Sequence, residues 1–114
     1  MAGIAIQESD LLNNRVVSMW GEAGIQFRSN LLLAPGAQIQ LHSHSYDHVA
    51  FINHGLFEVD EIAPDGERKT YRVASREWGL DLLQRVLIPA GHQHQFTLLE
   101  NRGTPGEVLC MWGG

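Results

Sequence analysis

Short apolar segments, cut at close intervals by glycine- and proline-bearing turns, constrain this chain more than any other feature. Ala34-Pro35-Gly36, Pro64-Asp65-Gly66, Pro89-Ala90-Gly91 and Asn101-Arg102-Gly103 are turn sequences. The segments between them show little helical periodicity, which argues against a helix bundle and for an all-β domain. Strands are expected over 25–33, 37–44, 48–53, 56–62, 68–73, 84–88, 93–99 and 107–112. That many strands at hairpin spacing in one small domain imply a closed barrel or jelly roll. Residues 7–14 are read as a helical turn or an arm, and 74–83 as a loop or a short helical insertion.

The chain has 114 residues, enough for one domain over 1–114, and its 44 % apolar content supports a real core. The net charge is −5 and the eight Lys and Arg are scattered, so no basic stripe for nucleic acid exists. No apolar run approaches the ~18 residues of a membrane span. The N-terminal MAGIAIQESDLL lacks a basic region and reads as neither signal peptide nor anchor. A single cysteine, Cys110, forms no internal disulfide, and a cytoplasmic location is expected. Neither a Ser-His-Asp order nor a phosphate-binding glycine loop is present.

The histidines carry the chemical signal. In 37–44 strict alternation places Ile39 and Leu41 on one face and Gln38, Gln40, His42 and His44 on the other. His48 follows a three-residue turn, where a hairpin brings it opposite the first two. His94 follows Pro89-Ala90-Gly91. A metal ion needs neutral nitrogen donors converging at ~2.0–2.1 Å. A pair on one strand and single ligands from neighbouring strands supply that inside a barrel. The set His42, His44, His48 and His94 is therefore the candidate for a mononuclear site. A lone strand histidine is more often an ordinary surface or core residue, and His54 and His92 are read that way, with lining of the site entrance the lesser alternative for His92.

Parity extends the site. Phe96 shares a face with His94, and Ala50 and Ile52 share one with His48, giving an apolar pocket floor. Tyr46 either packs on the barrel rim or borders the pocket. Cys110 is either a small buried hydrophobe or a thiol near the metal. Asp47 should point away from the ligand face. The parity of Glu58 and Asp60 is open across Gly55.

Gly36-x5-His42-x-His44-x3-His48-x6-Gly55 resembles the first motif of the cupins, and Pro89-x-Gly91-x2-His94 the core of the second. The motifs occupy 36–55 and 89–98. The resemblance implies a double-stranded β-helix barrel with a metal inside, and a homodimer. The usual acidic ligand of the first motif is replaced by His48, as in the four-histidine variety of small cupin. Leu83 stands where the second motif begins with glycine, Leu98 where it ends with asparagine, and the stretch between motifs is longer than in minimal cupins.

Four neutral imidazoles leave a divalent ion its full charge, which favours an anionic or chelating small-molecule ligand. The expected cofactor is one divalent transition metal ion per chain: Fe, Cu, Ni, Mn or Zn. Histidine-only cupins resemble dioxygenases in their ligand set, so the expected activity is a metal-centred, dioxygenase-like oxidoreductase on a small molecule. The alternatives are a non-catalytic cupin that binds metal or a small ligand, and a cupin isomerase or lyase. No catalytic residue beyond the metal ligands is assigned.

Overall fold

The computed structural model describes residues 6–10 and 13–113. The strands are β1 (Ile6–Asp10), β2 (Arg15–Glu22), β3 (Ile25–Leu32), β4 (Gln38–His42), β5 (His48–His54), β6 (Leu56–Ile62), β7 (Arg68–Ala74), β8 (Arg85–Ile88), β9 (Gln93–Glu100) and β10 (Gly106–Gly113). They form a six-stranded sheet in the order β1-β2-β3-β10-β5-β8 and a four-stranded sheet in the order β4-β9-β6-β7. All strand pairs are antiparallel. Among the described residues no helix is long and apolar enough to cross a membrane. The all-β, two-sheet jelly-roll barrel expected from the turn spacing is the observed architecture.

Period-two burial fixes which side chains fill the barrel. On β9, His94, Phe96 and Leu98 are buried. On β6 they face Glu61, Val59 and Phe57 in register. The six-stranded sheet contributes Leu32, Ala50, Ile52 and Val108. Phe57, Phe96 and Leu98 are fully buried, so truncating any one to alanine should cost about 2–5 kcal/mol.

Two stretches differ from the sequence expectation. Residues 6–10 are a strand paired with β2, not a helical turn or arm, while Leu11 and Leu12 of that expectation lie outside the described residues. Strand β2 had no counterpart in the sequence reading. It returns into β3 through Ala23-Gly24, both at positive φ (51° and 79°), as the two-residue turn matched to strand twist requires. Segment 74–83 conforms, with a short 3₁₀ turn at Arg76–Trp78 followed by loop.

A third difference shapes the site. On β4, Ile39 pairs with Phe96 and His42 with His94, so three residues of β4 span the length of two on β9. This bulge reverses parity. Ile39, buried in the core, and His42 therefore share the inner face, against the expected alternation. Gln38 bonds Thr97, and Leu41 is 44 % exposed.

Candidate metal centre

Three elements carry the histidines. His42 ends β4 and His94 lies opposite it on β9 of the same sheet, while His48 begins β5 of the facing sheet. His44 follows β4 in the connecting loop rather than on the strand. That loop is fixed by the Pro89-Ala90-Gly91 turn: Gly91 N–H donates to the His44 carbonyl (2.8 Å) and Ala90 N–H to Asp47 Oδ1 (2.8 Å). The turns of the two motifs are thus bonded to each other, and Asp47 faces away from the ligands as expected.

Potential ligand atoms of His42, His44 and His94 all lie within 4.8 Å of one another. His48 stands beside this triad, with ring centroids 4.9 Å from His94 and 5.2 Å from His44. The hydrogen bonds set the tautomers. His42 Nδ1 lies 2.7 Å from the Gln40 carbonyl, and His94 Nδ1 lies 3.1 Å from the His92 carbonyl. A carbonyl only accepts, so each Nδ1 carries the proton and each Nε2 keeps its lone pair. His48 is 2 % exposed, and neither of its ring nitrogens has a hydrogen-bond partner. A buried imidazole left unbonded is costly, and a metal ion is the partner that would relieve it.

The electrostatics agree. Burial, followed by the neighbouring imidazoles and Arg28, pushes His48 down to about 3. Burial pushes His94 down to about 4, against the opposing pull of the His92 carbonyl. Burial also lowers His42 and His44. All four are neutral at neutral pH, the state that metal ligation needs. The residues present fit a divalent metal ion.

Next to the histidines opens a cavity of about 390 Å³. Phe96 and Cys110 line it; Ala50 and Ile52 do not, being fully buried in the core. Tyr46 does not line the cavity either. Its ring stacks on His44 (4.8 Å) and on Trp112 (5.1 Å). Burial raises the Cys110 thiol to about 12, so it is a neutral wall residue. His54 ends β5 outside the cluster.

Sequence reasoning missed Glu61. It is 2 % exposed and lies opposite His94 in register. Tyr71 donates to its Oε1 (2.9 Å), and His92 Nδ1 donates to its Oε2 (2.8 Å). Glu61 thereby holds His92, whose carbonyl orients His94. The uncertain parity across Gly55 hid it: the inward residues of β6 are Phe57, Val59 and Glu61. Asp60 instead pairs with Thr70 and Arg68 on the outside.

Neither a protein-family model nor a curated protein matches the sequence. Solved structures do match. A variant of Bacillus subtilis oxalate decarboxylase superposes with a TM-score of 0.75 at 16 % identity, over 96 % of this chain and 27 % of that one. Lactobacillus farciminis oxalate decarboxylase in a formate complex gives 0.74 at 16 % identity, over 96 % and 30 %. Another match concerns the Mn(II) centres of the B. subtilis enzyme, at 0.74 and 16 %. The chain spans under a third of the length of these proteins. At this identity the likeness speaks to fold, and the chain has the double-stranded β-helix fold of the cupins, with a histidine cluster inside the barrel.

Proposed function

We propose that this protein is a mononuclear, divalent-metal-dependent cupin that acts on a small anionic molecule, as a metal-centred oxidoreductase of the dioxygenase-like kind. The observation that carries the metal is His48, buried with both nitrogens unbonded beside three imidazoles that converge. A bound ion would supply Lewis acidity and, if redox-active, electrons. His42, His44, His48 and His94 would hold it. Arg28, Phe96 and Cys110 would shape the substrate's space.

The cavity lining supports metal-centred chemistry over side-chain acid–base catalysis. Among the described residues no Asp or Glu lines it, and the Cys110 thiol is protonated. Glu61, the buried carboxylate, is committed to Tyr71 and His92. A decarboxylating lyase is the second reading, favoured by the oxalate decarboxylases among the structural matches.

The same reading includes a homodimer. β8 is a sheet edge, and Leu87 on it and Leu83 just before it are exposed, an arrangement that pairing would protect. Sizing in solution checks this.

The deciding experiment is metal analysis of the purified protein with X-ray absorption on the bound ion. One Fe, Cu, Ni or Mn per chain, five- or six-coordinate with nitrogen and oxygen neighbours, is expected. Four-coordinate zinc with nitrogen neighbours alone would mean a closed site and end the enzyme reading. Oxygen uptake with small acids then separates oxygenase from lyase.

A further inference from the structure

Arg28 has no role in the metal site, yet it lines the same cavity as the four histidines. Its place follows from register. Arg28 on β3 pairs with Met19 on β2 and Cys110 on β10, and Cys110 pairs with Ala50 on β5. Ala50 is two residues from His48, so the guanidinium occupies the row next to the metal site on the same inner face.

What Arg28 touches is chemically poor. Its Nε and one terminal nitrogen both approach Met19 Sδ at 3.3 Å. A thioether is a weak acceptor for a guanidinium with five N–H donors. Among the described residues no carboxylate lies within ion-pair distance of Arg28. A half-buried arginine facing a cavity without an acid in its lining is a cation waiting for an anion. The planar N–H fork matches a carboxylate through two parallel bonds. Val17, Ile39 and Phe96 add apolar surface to the cavity, beside the polar side chains of Arg15, Asn30 and Gln40.

We infer that Arg28 is the anchor for a ligand carboxylate, and that the cavity takes a small aliphatic dicarboxylate, one end at the metal and the other on Arg28. This rests on the proposed metal site for its first end only. Arg28 is a binding and specificity residue, with no part in holding the ion.

The test is calorimetric titration of zinc-loaded protein with succinate, glutarate and butanoate. Butanoate keeps one carboxylate for the metal and offers Arg28 a methyl group. At least one diacid should bind about tenfold or more tighter than butanoate, the worth of one charge-assisted pair. Arg28→Gln should reduce that preference to under about threefold with zinc content unchanged. Arg28→Lys, which keeps the charge and loses the fork, should fall between. A preference that survives in Arg28→Gln, or diacids no tighter than butanoate on the native protein, overturns the inference. If zinc does not bind, the metal reading fails separately. The anchor is then judged on metal-free protein from the Arg28 Nε–H resonance, which butanoate itself should shift and which an unmoved signal would refute.

Discussion

The His48 and His94 rings meet inside the barrel from opposite sheets, with centroids 4.9 Å apart. His94 is oriented from behind by the His92 carbonyl, whereas His48 has no hydrogen bond at either nitrogen. The buried His48 ring lacks a polar partner, and a metal ion shared with His94 would supply one.

His48→Ala should weaken metal affinity by more than about 100-fold, measured by competition with a chromophoric chelator. Loss of an outer partner that merely orients a ligand costs about 10–100-fold. A loss within or below that range would remove His48 from the ligand set. His54→Ala, at the far end of the same strand, should leave affinity unchanged.

The depressed histidines predict acid sensitivity of the metal-free fold. His48 at about 3 and His94 at about 4 stay neutral in the folded protein where the unfolded chain, near 6.5, takes up protons. The unfolded state binds more protons, so stability rises with pH. It is complete above about pH 6.5 and drains away as pH falls toward 4 and 3. Each unit of depression is worth about 1.4 kcal/mol. Between pH 7 and pH 5 the melting temperature of metal-free protein should fall by on the order of 10 °C. His48→Gln should flatten that dependence, and an unchanged slope would count against a buried neutral His48.

Glu61 is expected to couple stability to the proposed metal site through Tyr71 and His92. Tyr71→Phe removes a donor from a buried carboxylate and should cost about 1–3 kcal/mol in denaturant unfolding. Glu61→Ala leaves both the Tyr71 hydroxyl and His92 without their acceptor and should cost more. It should also weaken metal binding about 10–100-fold by releasing the His92 carbonyl behind His94. A double-mutant cycle should show coupling of about 0.5–3 kcal/mol between Glu61 and Tyr71. Metal affinity untouched by Glu61→Ala would separate the two functions.

The fold and the histidines were legible in the sequence because both depend on local signals. Glycine and proline turns delimited β3 to β10 to within a residue or two, and the spacings among His42, His44, His48 and His94 survive any small error in strand ends. The other features depend on events between strands. The bulge at Gln40-Leu41 is visible only against β9, which keeps strict period two, so Ile39 was assigned to the wrong face. β2 was missed because RVVSMWGE alternates poorly and its turn uses Ala23 where asparagine is the familiar residue. Arg28 and Glu61 are single charges whose inward direction depends on register across the sheet, which no spacing along the chain encodes.

Gly106 sets the packing above that core. A Cβ there would sit 2.6 Å from Leu98 Cδ1 and 2.9 Å from Phe57 Cζ, both on fully buried side chains. Alanine suits a strand better than glycine, by up to about 1 kcal/mol, but close contact with rigid neighbours costs about 1–3 kcal/mol, so the clash decides the sign. Gly106→Ala should therefore destabilise. Gly113→Ala on the same strand meets nothing within 4 Å and should be neutral or slightly stabilising. Leu98→Val shortens the side chain that is struck first. Alone it should be destabilising, yet combined with Gly106→Ala it should give a protein more stable than the sum of the two losses allows. Equilibrium unfolding of the four variants decides it: strict additivity would show that the core relaxes away from Leu98, and that Gly106 is not held to glycine by this contact.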